Sequence, residues 1–279
     1  MQRWWKPLSQ WKPTHKYAIN SNYLGDQTQL AWSNLGYWDV ETVNYAQACQ
    51  QLAEGLAQAV QLNASDVLLD LGCGQGASLA YWQQHYAIQQ LTGVELQQSC
   101  IEQIQQFLRP CPVLYTQSFL ELAQMQFKQN FDVIMCIDAA YHSPLTPFLS
   151  AVTSVMRNGA RLGFHYLLLT QPWQQLSAIQ QQRYKYLLKA ADVDIQDLMT
   201  QAQLIEQLQQ DQLTQICVED LSKPVLDGFA NYAQQLGTPK LSQCLQFDYL
   251  KIKMTAKLCR YLYQDGLIRY VQVSAQYLK

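Results

Sequence analysis

The stretch VLLDLGCGQGASLAYW, residues 67–82, runs from an apolar segment through a carboxylate into three glycines at alternate positions. The apolar run reads as a strand buried on both faces, and the residues after the glycines read as a helix. Gly72, Gly74 and Gly76 remove three side chains where strand turns to helix, so the backbone can approach a ligand closely and take positive φ. Asp70, at the end of the strand, can accept hydrogen bonds from donors on a ligand or in the loop. A pyrophosphate would be served by backbone amides alone. A carboxylate beside the loop instead favours a ligand that carries a cationic group.

Working outward, the same rhythm repeats. Strands are predicted at 66–71, 90–96, 111–117, 131–138 and 160–169. Helices are predicted at 77–85, 98–108 and 144–156, with a short one at 118–126. Strands alternating with helices of this length close through right-handed crossovers into a parallel sheet with helices on both faces. Ligands of such sheets bind at the carboxyl ends of the strands. Ahead of this core, apolar positions from Val40 to Val60 recur at three-to-four spacing and predict a helix over 39–62. Residues 1–37 read as an arm with short helices, rich in Trp and Tyr. Beyond it, helices are expected at 172–191 and 195–213, a strand at 215–222, and helices at 224–236 and 242–264. The last strand, 266–278, alternates Ile268, Tyr270, Gln272 and Ser274 with Leu267, Arg269, Val271 and Val273, as an edge strand would. The expected division is an N-terminal arm and cap (1–62), a ligand-binding Rossmann-like core (63–170), a helical lid (171–214) and a C-terminal completion of the sheet (215–279).

The bulk composition narrows the function. The chain has 279 residues, is 49% hydrophobic and carries only 14% charged residues with a formal net charge of -2. It therefore has no cationic excess to hold a phosphate backbone, and nucleic acid is not an expected partner. The basic residues do not cluster along the chain, which argues against a lipid-facing patch. The eight cysteines contain no C-x-x-C pair. They read as reduced, buried thiols, with neither a disulfide frame nor a metal site expected. No signal-peptide core opens the chain, and no run reaches the roughly 18 apolar residues of a membrane span. A soluble, cytoplasmic protein without stable membrane insertion is the expectation.

Asp70, Gly72, Gly74 and Gly76 meet the pattern D-x-G-x-G-x-G, with Cys73 inside the loop, and LTGVEL follows. The pair resembles the first two motifs of class I S-adenosylmethionine-dependent methyltransferases, well over about residues 35–170 and weakly beyond. The resemblance implies a Rossmann-like sheet, mostly parallel with an antiparallel edge strand, and S-adenosyl-L-methionine as cofactor. It further implies that the glycine loop cradles the methionine part, that Glu95 holds the ribose and that Leu96 lies along adenine. Glu95 can equally cap the helix that follows it. Where relatives often place an Asp after the third strand, YTQSF offers Gln117 and Ser118. A G-x-G-x-x-A pattern at Gly72, Gly74 and Ala77 keeps a nicotinamide or flavin dehydrogenase as a competitor, and a non-catalytic binding module on the same fold is a third reading.

Methyl transfer is an in-line displacement that needs alignment and, for a hydroxyl acceptor, removal of a proton. His142, after the fourth strand in CIDAAYHSP, resembles the Tyr-His segment of small-molecule methyltransferases acting on natural products. By that resemblance it is the candidate base, with Tyr141 beside it in the acceptor pocket. His165, on the fifth strand, is a second candidate. Each has a structural alternative: His142 bonding a backbone carbonyl, and His165 sitting in the core between Phe164 and Tyr166. Asp138 lines the cofactor or caps a loop. The segment NLGYW (34–38) also recurs in this branch, which places Tyr37 and Trp38 over the cofactor or the acceptor unless they are simply packed. The many aromatics favour a small, apolar or aromatic acceptor. DAAY stands where nucleic-acid amino-methyltransferases carry a Pro-Pro tetrad, which disfavours that class.

Overall fold

The computed structural model describes residues 20–189, 191–236 and 247–279, the last stretch without the side chain of Phe247. Trp4, Trp5, Trp11 and Tyr17 of the expected arm, and Cys244, lie outside the described residues. Helix α1 (Tyr45–Ala59) starts six residues later than the spacing predicts, because Asn44 accepts from the Gln47 amide as its N-cap. Val40 and Val43, read as core positions, are fully or largely exposed in the turn before it.

The core then follows the predicted order: β1 (Val67–Leu71), α2 (Ala77–His85), β2 (Gln90–Glu95), α3 (Gln98–Phe107), β3 (Val113–Thr116), β4 (Phe131–Cys136), α4 (Leu145–Thr153) and β5 (Met156–Leu169). The C-terminal part adds α5 (Ala178–Lys189), α6 (Gln201–Gln210), β6 (Leu213–Asp220), α7 (Gly228–Gln235), α8 (Phe247–Asp265) and β7 (Ile268–Tyr277). The seven strands of the described residues join one sheet in the order β3-β2-β1-β4-β5-β7-β6. Strands β1 to β5 pair in parallel, while β7 runs antiparallel to both β5 and β6.

The expected edge strand is therefore an interior one, and β6 forms the edge. The misreading has a local cause. Gln272 is polar yet only 5% exposed, because its amide lies 3.4 Å from the buried ring of His165 and donates to Glu219 on β6. A satisfied polar side chain inside a sheet leaves the same alternating trace in the sequence as a solvated one.

Two apolar layers cover the sheet. Helix α1 lies close on β5 where Gly163 leaves room: a Cβ there would stand 2.6 Å from Val60 Cγ1 and 3.0 Å from Leu56 Cδ1. Helices α5 and α6 are attached to the body rather than free of it. Leu169, ending β5, bridges to Thr200, which caps α6. Tyr184 of α5 is buried and its hydroxyl donates to Asp265 of α8. This contact sets α5 beside α8. Among the described residues no helix is long and apolar enough to cross a membrane.

Candidate active site

Three strand ends, β1, β2 and β4, meet at the carboxyl edge of the sheet. The loop after β1 holds Gly72, Gly74 and Gly76 at φ +68°, +52° and +89°, the left-handed region that favours glycine. At Gly76 a Cβ would also stand 2.6 Å from Ile104 Cγ1. Four amides of this loop are engaged by the protein itself. Gly72 and Cys73 both donate to the Val94 carbonyl (2.8 and 3.3 Å), Gly74 donates to Glu95 Oε2 (3.0 Å) and Gly76 to the Cys73 carbonyl (3.0 Å). The loop thus presents bare Cα surface to the crevice, with those four donors already used.

Glu95, ending β2, is 7% exposed. Its other oxygen accepts from the Gln97 amide at 3.0 Å. Each carboxylate oxygen has two lone pairs, so after these two bonds each can still accept from one hydroxyl of a vicinal diol. Leu96 beside it is 58% exposed, an apolar side chain open at the crevice. Gln117 and Ser118 follow β3 half-buried, and the Ser118 hydroxyl accepts from the Leu120 amide, capping the short helical turn 119–124.

Asp138 is the hub of the third strand end. Its Oδ2 accepts from the Leu35 amide (2.8 Å), and its Oδ1 from the hydroxyls of Tyr141 (2.7 Å) and Tyr270 (2.9 Å). Burial pushes its carboxyl up to about 6, against the pull of these donors. The residue itself sits at φ +52°, an uncommon conformation for a non-glycine, and the network holds it there. Leu35 and the neighbouring Ser33, whose hydroxyl would lie 3.2 Å from a Cβ at Gly74, lay the segment 33–35 across the gap between the glycine loop and β4. Tyr37, half-buried, is fixed by its amide to the Ala48 carbonyl (2.8 Å).

Several expected site residues take structural places instead. Asp70 is 1% exposed and accepts from the Trp82 indole at 2.7 Å, pinning α2 to the loop from beneath; burial pushes its carboxyl up to about 6. It does not open on the crevice. The Cys73 side chain is buried in the core, where a Cβ at Gly93 would lie 3.1 Å from its sulfur. Trp38 turns away to α7, stacking on Tyr232 at 4.2 Å with its Cβ against Gly228. His165 is fully buried, accepts from the Asp138 amide at Nδ1 (3.3 Å) and faces Gln272 at Nε2 (3.4 Å). Burial drives its value down to about 3, so the ring is neutral, and both nitrogens brace the fold. It is a core histidine under the Asp138 turn, with no access for an acceptor.

His142 differs. It ends the turn Ala140–His142, half-buried, with its ring 4.5 Å from that of Tyr141. Its Nδ1 lies 3.3 Å from the carbonyl of Asp192, in the connection between α5 and α6. Donation to that carbonyl selects the tautomer whose lone pair is on Nε2. The residue that sequence reasoning missed is Tyr270, brought to Asp138 from 132 positions away by the pairing of β7 with β5. No local motif marks it.

This order, a glycine loop after the first strand, an acid ending the second and an antiparallel strand inserted next to the fifth, is that of a known fold, and residues 68–159 match the family described as a methyltransferase domain. The chain has the class I methyltransferase fold. Among curated relatives, erythromycin 3''-O-methyltransferase of Saccharopolyspora erythraea is 25% identical over 166 residues, covering 57% of this chain and 54% of the relative. The 27-O-demethylrifamycin SV methyltransferase of Amycolatopsis mediterranei is 26% identical over 151 residues, 52% of this chain and 55% of the relative. The chain thus spans about half the length of the curated relatives it matches. Solved class I methyltransferase folds align nearly end to end. Geranyl diphosphate C-methyltransferase from Streptomyces coelicolor, in complex with S-adenosyl-L-homocysteine, has a TM-score of 0.67 at 13% identity, covering 93% of this chain and 97% of that one. The cyclopropane synthase MmaA2 from Mycobacterium tuberculosis has a TM-score of 0.70 at 16% identity, covering 94% and 98%.

Proposed function

We propose that this chain transfers a methyl group from S-adenosyl-L-methionine to a hydroxyl or amine of a small, apolar or aromatic molecule. The observation that carries the reading is the engagement of the loop amides. A dinucleotide pyrophosphate needs free N–H donors at this turn, whereas those of Gly72, Cys73, Gly74 and Gly76 are already taken up by Val94, Glu95 and Cys73. What the loop offers is an uncharged surface flanked by Glu95 and Asp138, which suits a cationic ligand. When bound, the cofactor supplies an electrophilic methyl group on a sulfonium. Glu95 would hold the ribose hydroxyls, Leu96 and Gln117 would border the adenine, and the glycine loop with the 33–37 segment would enclose the methionine part. Asp138, with Tyr141 and Tyr270, would fix the wall between cofactor and acceptor.

On the acceptor side, His142 takes the proton of an acceptor hydroxyl, oriented by the Asp192 carbonyl, and the α5–α6 connection closes the pocket over it. Two relatives named as O-methyltransferases or acting on an O-demethyl compound support an oxygen acceptor. A base in hydrogen-bond reach contributes about 10² to 10⁴ in rate. The test has two parts. Calorimetric titration with S-adenosyl-L-homocysteine should show one site that Gly74→Val abolishes, and NADH should give no heat; binding of NADH in its place rejects the reading. With the acceptor found by labelled-methyl screening, His142→Ala should cut turnover at least a hundredfold with cofactor affinity kept. Unchanged turnover removes His142 from the chemistry.

A further inference from the structure

The chain as a whole is slightly acidic, but its cations are unevenly placed. Helix α5 carries Arg183, Lys185 and Lys189 and no acid; α8 carries Lys251, Lys253, Lys257 and Arg260 against Asp248 and Asp265. These two helices hold seven of the 19 basic residues and two of the 21 acidic ones, leaving the rest of the chain with 12 cations and 19 acids. Both acids are engaged: Asp248 accepts from Asn20, and Asp265 from Tyr184 and Tyr261.

The helices lie side by side. The Arg183 guanidinium sits 4.3 Å from the centre of the Tyr261 ring, and the Tyr184 and Tyr261 rings are 6.1 Å apart. From this seam run two outward stripes at helical spacing. On α5, Ile179, Arg183 and Tyr186 are exposed; on α8, Leu250, Met254 and Lys257 are. Ile179 is 80% and Tyr186 69% exposed, with Leu250 and Met254 above half. Leu250 lies about 16 Å along the axis from Tyr261 at 1.5 Å per residue. Next to the α8 stripe, a groove of about 200 Å³ between α7 and α8 is lined by Lys253, Lys257, Arg260, Tyr261 and Gln264. Lys253 donates to the Ala233 carbonyl, and Arg260 to Asn231, with Asp227 at 3.8 Å. The Arg260 Nε is buried without a partner.

We propose that this α5–α8 face docks the protein peripherally on an anionic phospholipid surface. The face combines exposed aliphatic and tyrosyl side chains with exposed cations, Arg183 and Lys257, in the same two stripes, and neither helix has an unengaged carboxylate. Lys257 and the groove beside it meet lipid phosphates, while Ile179, Tyr186, Leu250 and Met254 enter the headgroup boundary. An acidic protein would match the charge, but it would leave these four side chains with no apolar counterpart stated by charge alone. The inference stands apart from the methyl-transfer reading, since it concerns a face and not the crevice.

Co-sedimentation of the full chain with sucrose-loaded vesicles tests it. Vesicles of phosphatidylcholine with phosphatidylglycerol should carry the protein down at low salt, and pure phosphatidylcholine should carry much less. Binding should weaken as salt rises. Each cation near such a surface contributes about fivefold in partition, so Arg183→Glu with Lys257→Glu should lower it at least about 25-fold. Leu250→Ser with Met254→Ser, on one helix only, should remove the part that survives high salt while circular dichroism stays unchanged. No binding to anionic vesicles, equal binding by the charge-reversed protein, or retention on polyglutamate in place of vesicles would overturn the proposal.

Discussion

His165→Asn offers a measurement of how the floor under the candidate site is built. The ring is fully buried and held near a value of about 3 by desolvation, against 6.5 for an ordinary histidine. Between those values the unfolded chain binds a proton that the folded chain does not, so stability from this residue is lost as pH falls from about 6.5 towards 3. At pH 5 the unfolded histidine lies about 1.5 units below its own value, and at pH 4 about 2.5 units. At about 1.36 kcal/mol per unit this is about 2 and about 3 kcal/mol. Asparagine can keep the bond from the Asp138 amide and has nothing to protonate. The variant loses a constant amount of stability at neutral pH, and that deficit should shrink by about 2 kcal/mol between pH 7 and pH 5. The comparison with the variant is essential, because Asp70 and Asp138 pull the other way. Their folded values, raised from 3.8 to about 6, contribute stability at low pH that is lost as pH rises through about 6. Urea unfolding of both proteins at pH 7, 6 and 5 gives the two curves. A deficit that stays constant across the range refutes the buried neutral histidine and returns His165 to the list of titrating, accessible groups.

Two further substitutions probe the acids around the loop. Trp82→Phe removes the indole donor from the buried Asp70 carboxylate and should cost about 1–3 kcal/mol of stability, more at pH 8 than at pH 5, as read by thermal melts at the two values. Equal cost at both would mean that Asp70 does not change its charge between pH 5 and pH 8 in the folded protein. Tyr270→Phe removes one of three donors to Asp138, so the Asp138 carboxyl should move above about 6. The acid limb of kcat/KM should shift upward with it, while Tyr270→His, which can still donate, should shift it less. An unmoved limb separates Asp138 from the activity.

The first half of the sheet was legible because its signals are local. The glycines and the acids at 70 and 95 fall within thirty residues, and the elements from β1 to β5 follow the predicted order, with β5 starting at Met156, four residues before the predicted strand and inside the predicted helix. What failed depends on contacts between distant segments. Gln272 reads as solvent-facing until β7 is set between β5 and β6, opposite His165. Trp38 reads as a cofactor cover until Gly228, far along the chain, provides a slot for it. Arg183 of α5 and Tyr261 of α8, far apart in the sequence, meet only once the fold sets the two helices side by side.

The acids around the glycine turn, alike in sequence, do different work, and the difference follows from what each side chain can reach. Asp70 points under the loop, where the Trp82 indole is its hydrogen-bond donor; its task is to hold α2 against the turn, and its charge is screened from the crevice by the backbone above it. Glu95 is clamped by two amides, one from the loop itself, which fix the carboxylate and leave each oxygen one further lone pair. Asp138 is gripped by a backbone amide and two tyrosines, one of them from β7. Filling a loop's own donors from within the chain removes its affinity for phosphate, and placing acids on either side adds affinity for a cation. The selectivity proposed for this crevice therefore rests on the chain's own hydrogen bonds, formed before any ligand arrives, and Glu95→Leu, which frees the Gly74 amide and removes one of the two acids, should weaken binding of the sulfonium nucleoside in calorimetric titration; unchanged affinity would refute the role given to Glu95.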